Sequence, residues 1–194
     1  AKNFSLTILI LKNILKHAAK ILLPTPDILL TQSFNNFVLI KNATMIKQNE
    51  NVIIAGLSIR TTNENGQSAH DIPALWQRFF AEDMLNKIPG KIDDTLYCIY
   101  TDYEKDHTSP YTTLLGCRVR VEVNEPGITT KVFTGDKYYV FIAKGALDNG
   151  IVYKEWLKIW NAGIERLYTT DIEIYGERAR DKLNAEIPIL VAVK

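Results

Sequence analysis

A chain of 194 residues, 46% hydrophobic and 23% charged, is long enough for one well-cored globular domain and marginal for two. Its formal net charge of +1 excludes a global field toward nucleic acid or anionic lipid, so any ligand preference must come from a local site. Two cysteines without a C-x-x-C pair and three scattered histidines, His17, His70 and His107, make no zinc pattern, and no metal or cofactor is expected.

In chain order, residues 4–23 come first and predict a helix. Lys12, Lys16 and Lys20 recur every four positions, and Leu11, Ile14, Leu15, Ala18, Ile21 and Leu22 take the other side. Pro24 and Pro26 stop it. The apolar stretch before Lys12 falls short of the roughly 20 residues that span a bilayer. A small-residue cleavage site is also missing, so neither a transmembrane span nor a secretory signal is predicted and a cytoplasmic location is expected. The helix reads as a membrane-surface element, as a piece packing on the domain or a partner, or as an addition to a domain complete without it; the last two are favoured. Met45 directly precedes the first recognisable strand, which suggests a start or boundary there: an extension over 1–44 and a main domain over 45–194. With no second helix of recognition character, direct binding to nucleic acid is not expected.

A strand follows over 51–60, with Val52, Ile53, Ile54, Leu57 and Ile59 as apolar positions and Gly56 as a bulge. The loop 63–67 leads to a helix starting near 68–71, carrying Ile72, Leu75, Trp76 and Phe79, and ending near Asn86. A hairpin over 96–103 and 112–123 carries Cys98 and Cys117. They read as reduced thiols, although the loop around 104–110 could set them opposite each other. The second unit opens with strands at 128–133 and 138–143. A helix over 149–167 then places Trp156, Ile159, Trp160 and Ile164 on one face, and strands at 171–175 and 186–193 close the unit. Both halves therefore read as an entry strand, a tryptophan-bearing helix and two strands. The predicted class is α+β: a tandem, pseudo-symmetric β-α-β-β repeat (about 45–124 and 125–194). Its antiparallel sheet carries two helices on one face and a ligand cleft between the halves.

Five fragments, in order, resemble the GyrI-like effector-binding family. They are the run from Gly56 to Asn63, the Leu75-Trp76-x-Arg78-Phe79 helix, the strand from Tyr97 to Tyr103, the run from Tyr111 to Gly116, and the late stretch from Trp156 to Tyr175. The resemblance covers about 45–194. It implies the tandem β-α-β-β fold of ligand-sensing domains in AraC- and MerR-type regulators and of integron-encoded cationic-drug binders. It also implies that Glu173 is the family's cleft glutamate; Ile172 stands where the family usually has phenylalanine.

Alternation over 171–175 puts Ile172 and Ile174 on one face and Asp171, Glu173 and Tyr175 on the other. With the isoleucines toward the helices, Glu173 opens to the concave side. Aligning Tyr175 with Tyr100 gives Cys98 the position equivalent to Glu173, so only one copy carries a carboxylate, which suggests a ligand off the pseudo-axis with one charged end. A carboxylate ringed by aromatics is a receptor for a lipophilic cation, each ring face offering about 0.5–2 kcal/mol. The expected ligand-binding set is Glu173, Tyr175, Tyr100, Tyr97, Tyr111, Trp160, Tyr139 and Phe141, with Tyr138 and Trp76 as further candidate walls. Trp76 and Trp156 read foremost as core anchors, and His107, in a charged loop, as solvated.

The reading that follows is a non-enzymatic module that binds an amphipathic, cationic small molecule for regulation or sequestration. It leaves room for a homodimer and for a DNA-binding or other protein partner. Two alternatives come with the resemblance: a hydrolase using Glu173 as acid or base beside Tyr100 or Tyr111, and a protein-interaction module of the gyrase-inhibitor kind.

Overall fold

The computed structural model describes residues 37–39, 45–48 and 51–194. The helix expected over 4–23 lies outside the described residues. The elements are β1 (Phe37–Leu39), β2 (Met45–Gln48), β3 (Val52–Thr61), α1 (Ser68–Ala81), α2 (Met84–Lys87), β4 (Lys91–Thr101), β5 (Tyr111–Val119), β6 (Thr129–Phe133), β7 (Lys137–Gly145), α3 (Ile151–Trp160), β8 (Arg166–Tyr175) and β9 (Ala185–Val193). Helix α1 forms because Leu75, Trp76 and Phe79 recur at helical spacing and bury one stripe. Each such anchor contributes about 1.5–3 kcal/mol by burial. The helix ends sooner than its sequence suggests, since Asp83 turns left-handed at φ 52° and only the short α2 follows. Helix α3 stops at Trp160, well before the expected 167, because Gly163 takes φ 66° and redirects the chain into β8.

Among the described residues the strands form one antiparallel sheet in the order β1-β2-β7-β9-β8-β4-β5-β3-β6. From the middle outward, β8-β9-β7 matches β4-β5-β3, so the two β-α-β-β units meet along the β4–β8 pair. Gly56 is no bulge. It lies directly opposite Gly116 in the β3–β5 ladder, where a Cβ on Gly116 would stand 2.1 Å from the Ala55 carbonyl oxygen. Cys98 and Cys117 sit on the paired strands β4 and β5 but two residues out of register, as buried free thiols.

Directly opposed residues share a face. One rung runs Leu57, Leu115, Cys98, Glu173, Ile189 and Phe141 across six strands. It lies on the face that buries Trp76 and Phe79 of α1 and Trp156 and Ile159 of α3. The other face gathers Ile54, Tyr97, Ile99, Leu114, Tyr138, Ile172, Ile174 and Leu190, and its cluster contains no residue of a described helix. The alternation within 171–175 is as expected, but the side is reversed. Ile172 and Ile174 point away from the helices, and Glu173 points under them. Period-two patterning tells which residues share a face, not which face a helix covers.

Candidate functional site

Glu173 is 2% exposed, on the β8 rung between Cys98 and Ile189. Three neutral donors converge on it. The Tyr100 hydroxyl donates to Oε1 at 2.8 Å, the Trp156 indole N–H donates to Oε1 at 2.6 Å, and the Tyr175 hydroxyl donates to Oε2 at 2.7 Å. Behind them the Cys98 thiol donates to the Tyr100 oxygen at 3.6 Å. Among the described residues no lysine, arginine or histidine forms an ion pair with this carboxylate.

The electrostatics follow. Burial pushes the Glu173 pKa up from its ordinary 4.5, and the Trp156, Tyr175 and Tyr100 donors pull it part of the way back. Burial, then the neighbouring Cys98 and Glu173, pushes the Tyr100 hydroxyl well up; burial and Glu173 do the same to Tyr175, so both stay neutral donors. Cys98 is likewise pushed well up by burial and by Glu173, which leaves a thiol rather than a thiolate beside the site.

Aromatic rings enclose the carboxylate. Tyr100 meets Trp156 edge-on at 5.4 Å and Tyr111 at 5.9 Å, Trp76 meets Tyr175 at 4.9 Å, and Trp160 lies 6.3 Å from Trp156. Of the expected residues, Glu173, Tyr100, Tyr175, Tyr111 and Trp160 thus come together. Tyr139 and Phe141 share the face but lie on β7, two strands from Glu173, and pack on each other at 5.6 Å. Tyr97 and Tyr138 do not join, because strand alternation puts both on the opposite face.

Trp156 is the candidate site residue that its reading as a core anchor passed over. It is both anchor and donor, and the available signal was that a buried indole N–H needs an acceptor. His107 is not a solvated loop residue: its ring stacks on Trp160 at 5.2 Å and lies 6.3 Å from Tyr168. A polar hollow lined by Thr101, Asp102, Lys131, Asp136 and Thr169 opens elsewhere. Its Asp102 is already paired with Lys131, its Asp136 accepts from Thr169, and both lie at the surface rather than in the core, so the buried carboxylate is the better candidate. Among the described residues no cluster of His, Cys, Asp or Glu could hold a metal ion, and no helix is long and apolar enough to cross a membrane.

Known proteins resemble this chain in sequence and fold. Residues 45–193 match the family described as Cass2, integron-associated effector binding protein. The Bacillus subtilis (strain 168) protein named "Putative transcriptional regulator protein YobU" is 29% identical over 145 residues, covering 72% of this chain and 91% of that protein. An integron cassette protein from the mobile metagenome of Vibrio cholerae, VCH_CASS2, superposes with a TM-score of 0.58 at 28% identity, over 77% of this chain and 94% of that one. The structure of SAV2435 bound to tetraphenylphosphonium shares the fold with a TM-score of 0.59 at 16% identity, over 77% and 92% of the two chains.

Proposed function

The chain belongs to the integron-associated effector binding protein family, and on that premise we propose that it captures a lipophilic cation against Glu173. One observation carries the reading: a buried carboxylate with three neutral donors and no counter-ion among the described residues. Such a charge is costly to hold out of water, and a bound cation would supply its missing partner. Tyr100, Tyr175, Trp76 and Trp156 offer ring faces and edges to the cation's apolar groups. That SAV2435 is seen with tetraphenylphosphonium makes this ion the natural first probe.

The site is packed shut, with Tyr100, Trp76 and Trp156 each below 10% exposed. Entry therefore requires rings carried by α1 and α3 to swing off the sheet. That motion gives capture an output, because occupancy repositions a helix that a partner chain can read; without such a partner, the same capture sequesters the ligand. The hydrolase alternative, Glu173 as acid or base beside Tyr100 or Tyr111, is weaker, since Tyr100 is held as a neutral donor to Glu173 and the Tyr111 hydroxyl donates instead to Asn63 Oδ1. The test is a tryptophan-fluorescence titration with tetraphenylphosphonium. A saturable change supports capture beside Trp156, and a flat titration across the soluble range contradicts it.

A further inference from the structure

A second buried charge stands on the far side of Trp156. The β8–β9 register shifts between Arg166 and Asp171, and Tyr168 takes φ 55° within that stretch. The irregularity folds Arg166 back onto its own strand, where Nη2 donates to Asp171 Oδ2 at 2.6 Å; the two side chains are 4% and 0% exposed. Asp171 is fully served, by Tyr103 at 2.8 Å and by the Ala192 N–H at 3.1 Å. Arg166 is not. Among the described residues its Nε and Nη1 are buried without a hydrogen-bond partner, although a guanidinium offers five N–H donors.

What surrounds those donors is aromatic. The guanidinium carbon lies 4.4 Å from the Tyr168 ring centroid and 5.7 Å from that of Trp156. His107, on the loop between β4 and β5, closes the outside by stacking on Trp160 and Tyr168, and among the described residues its Nδ1 is also buried without a partner. Ring faces attract the charge but supply no oxygen lone pair for an in-line hydrogen bond. Burial works against the guanidinium's charge, and Asp171 more than offsets it. Burial and the Arg166 charge push His107 down, so it adds no second cation.

We propose that Arg166 Nε and Nη1 form a second subsite, for a hydrogen-bond acceptor, of the ligand site at Glu173, so the ligand class is a lipophilic cation that also carries a hydrogen-bond-accepting oxygen, such as an amide, ester or carboxylate. The inference rests on cation capture at Glu173. Trp156 links the two ends: its indole N–H binds Glu173 while its ring faces Arg166. Moving that one side chain to admit a cation uncovers the unpaired donors in the same step. The positive centre then lies toward Glu173 and the acceptor toward Arg166, with the electrostatic field aligned to the ligand's own dipole.

The experiment compares tetraphenylphosphonium with (4-carbamoylphenyl)triphenylphosphonium by calorimetry on the full chain. Wild type is expected to prefer the carbamoyl probe by about tenfold, the effect of one hydrogen bond to a charged donor. Arg166→Lys keeps a cation beside Asp171 but loses the forked donors, and the preference should collapse to about one. Equal affinities in wild type overturn the subsite, as does an Arg166→Lys protein that weakens both probes by the same factor, which is the signature of a structural ion pair. Should Arg166→Lys fail to fold by circular dichroism, His107→Ala admits water to the guanidinium and should lower the same preference; an unchanged preference overturns the subsite. Failure of the capture reading looks different: Glu173→Gln would then leave both probes unweakened.

Discussion

Cys98 and Glu173 are direct cross-strand partners on the central β4–β8 pair, and they occupy the same position in the two repeats. The pseudo-two-fold relation between the halves therefore passes between a thiol and a carboxylate. The two matching halves supply two equivalent positions at the seam, and one of them carries a charge. The asymmetry that the sequence suggests off the axis thus begins immediately beside it.

The first prediction concerns pH and stability. Burial raises the Glu173 pKa above its ordinary 4.5, so the folded state holds that proton more tightly than the unfolded chain. The contribution is fully present below about 4.5 and is lost as pH rises through the raised value. Glu173→Gln, permanently neutral, should be more stable than wild type at pH 7, and the difference should close as pH falls. Urea midpoints of both proteins across that window check it.

Cation affinity should run the other way. Only the ionised carboxylate is a counter-charge, so tetraphenylphosphonium should bind more weakly as pH falls through the same window, releasing protons on binding. Titrations in two buffers of different ionisation enthalpy measure that release.

Trp156→Phe keeps most of the ring and removes one of the three donors to Glu173. A buried acceptor losing a partner costs about 1–3 kcal/mol, so the denaturation midpoint should fall accordingly.

Gly116→Ala should be destabilising by about 1–3 kcal/mol or more. The new methyl would collide with the Ala55 carbonyl oxygen, which is backbone and cannot rotate away. A thermal melt decides.

Both thiols should be inert in the native state. Cys98 and Cys117 are fully buried, and burial pushes Cys117 up to about 11 and Cys98 well above its ordinary value. A thiol-specific chromogenic reagent should label neither until denaturant is added.

Much of this was legible in the chain. Alternation over 171–175 separates Glu173 from Ile172 and Ile174, and the tryptophan-bearing helices mark the duplicated units. What was hidden depended on contacts between distant segments. Nothing local says that Trp156 reaches Glu173 from an adjacent element. Arg166 was obscured because the predicted helix ran through it, whereas Gly163 ends that helix and Tyr168 kinks the strand. His107 sits among charges in sequence and among rings in space. Tyr97 was a candidate by composition, and strand parity removed it.

The most direct test titrates wild type and Glu173→Gln with tetraphenylphosphonium and tetraphenylborate, ions of matched shape and opposite charge. Capture at Glu173 predicts saturable binding of the phosphonium alone, weakened about 30-fold or more by the substitution. Equal binding of both ions, or a phosphonium affinity that Glu173→Gln leaves unchanged, would contradict it.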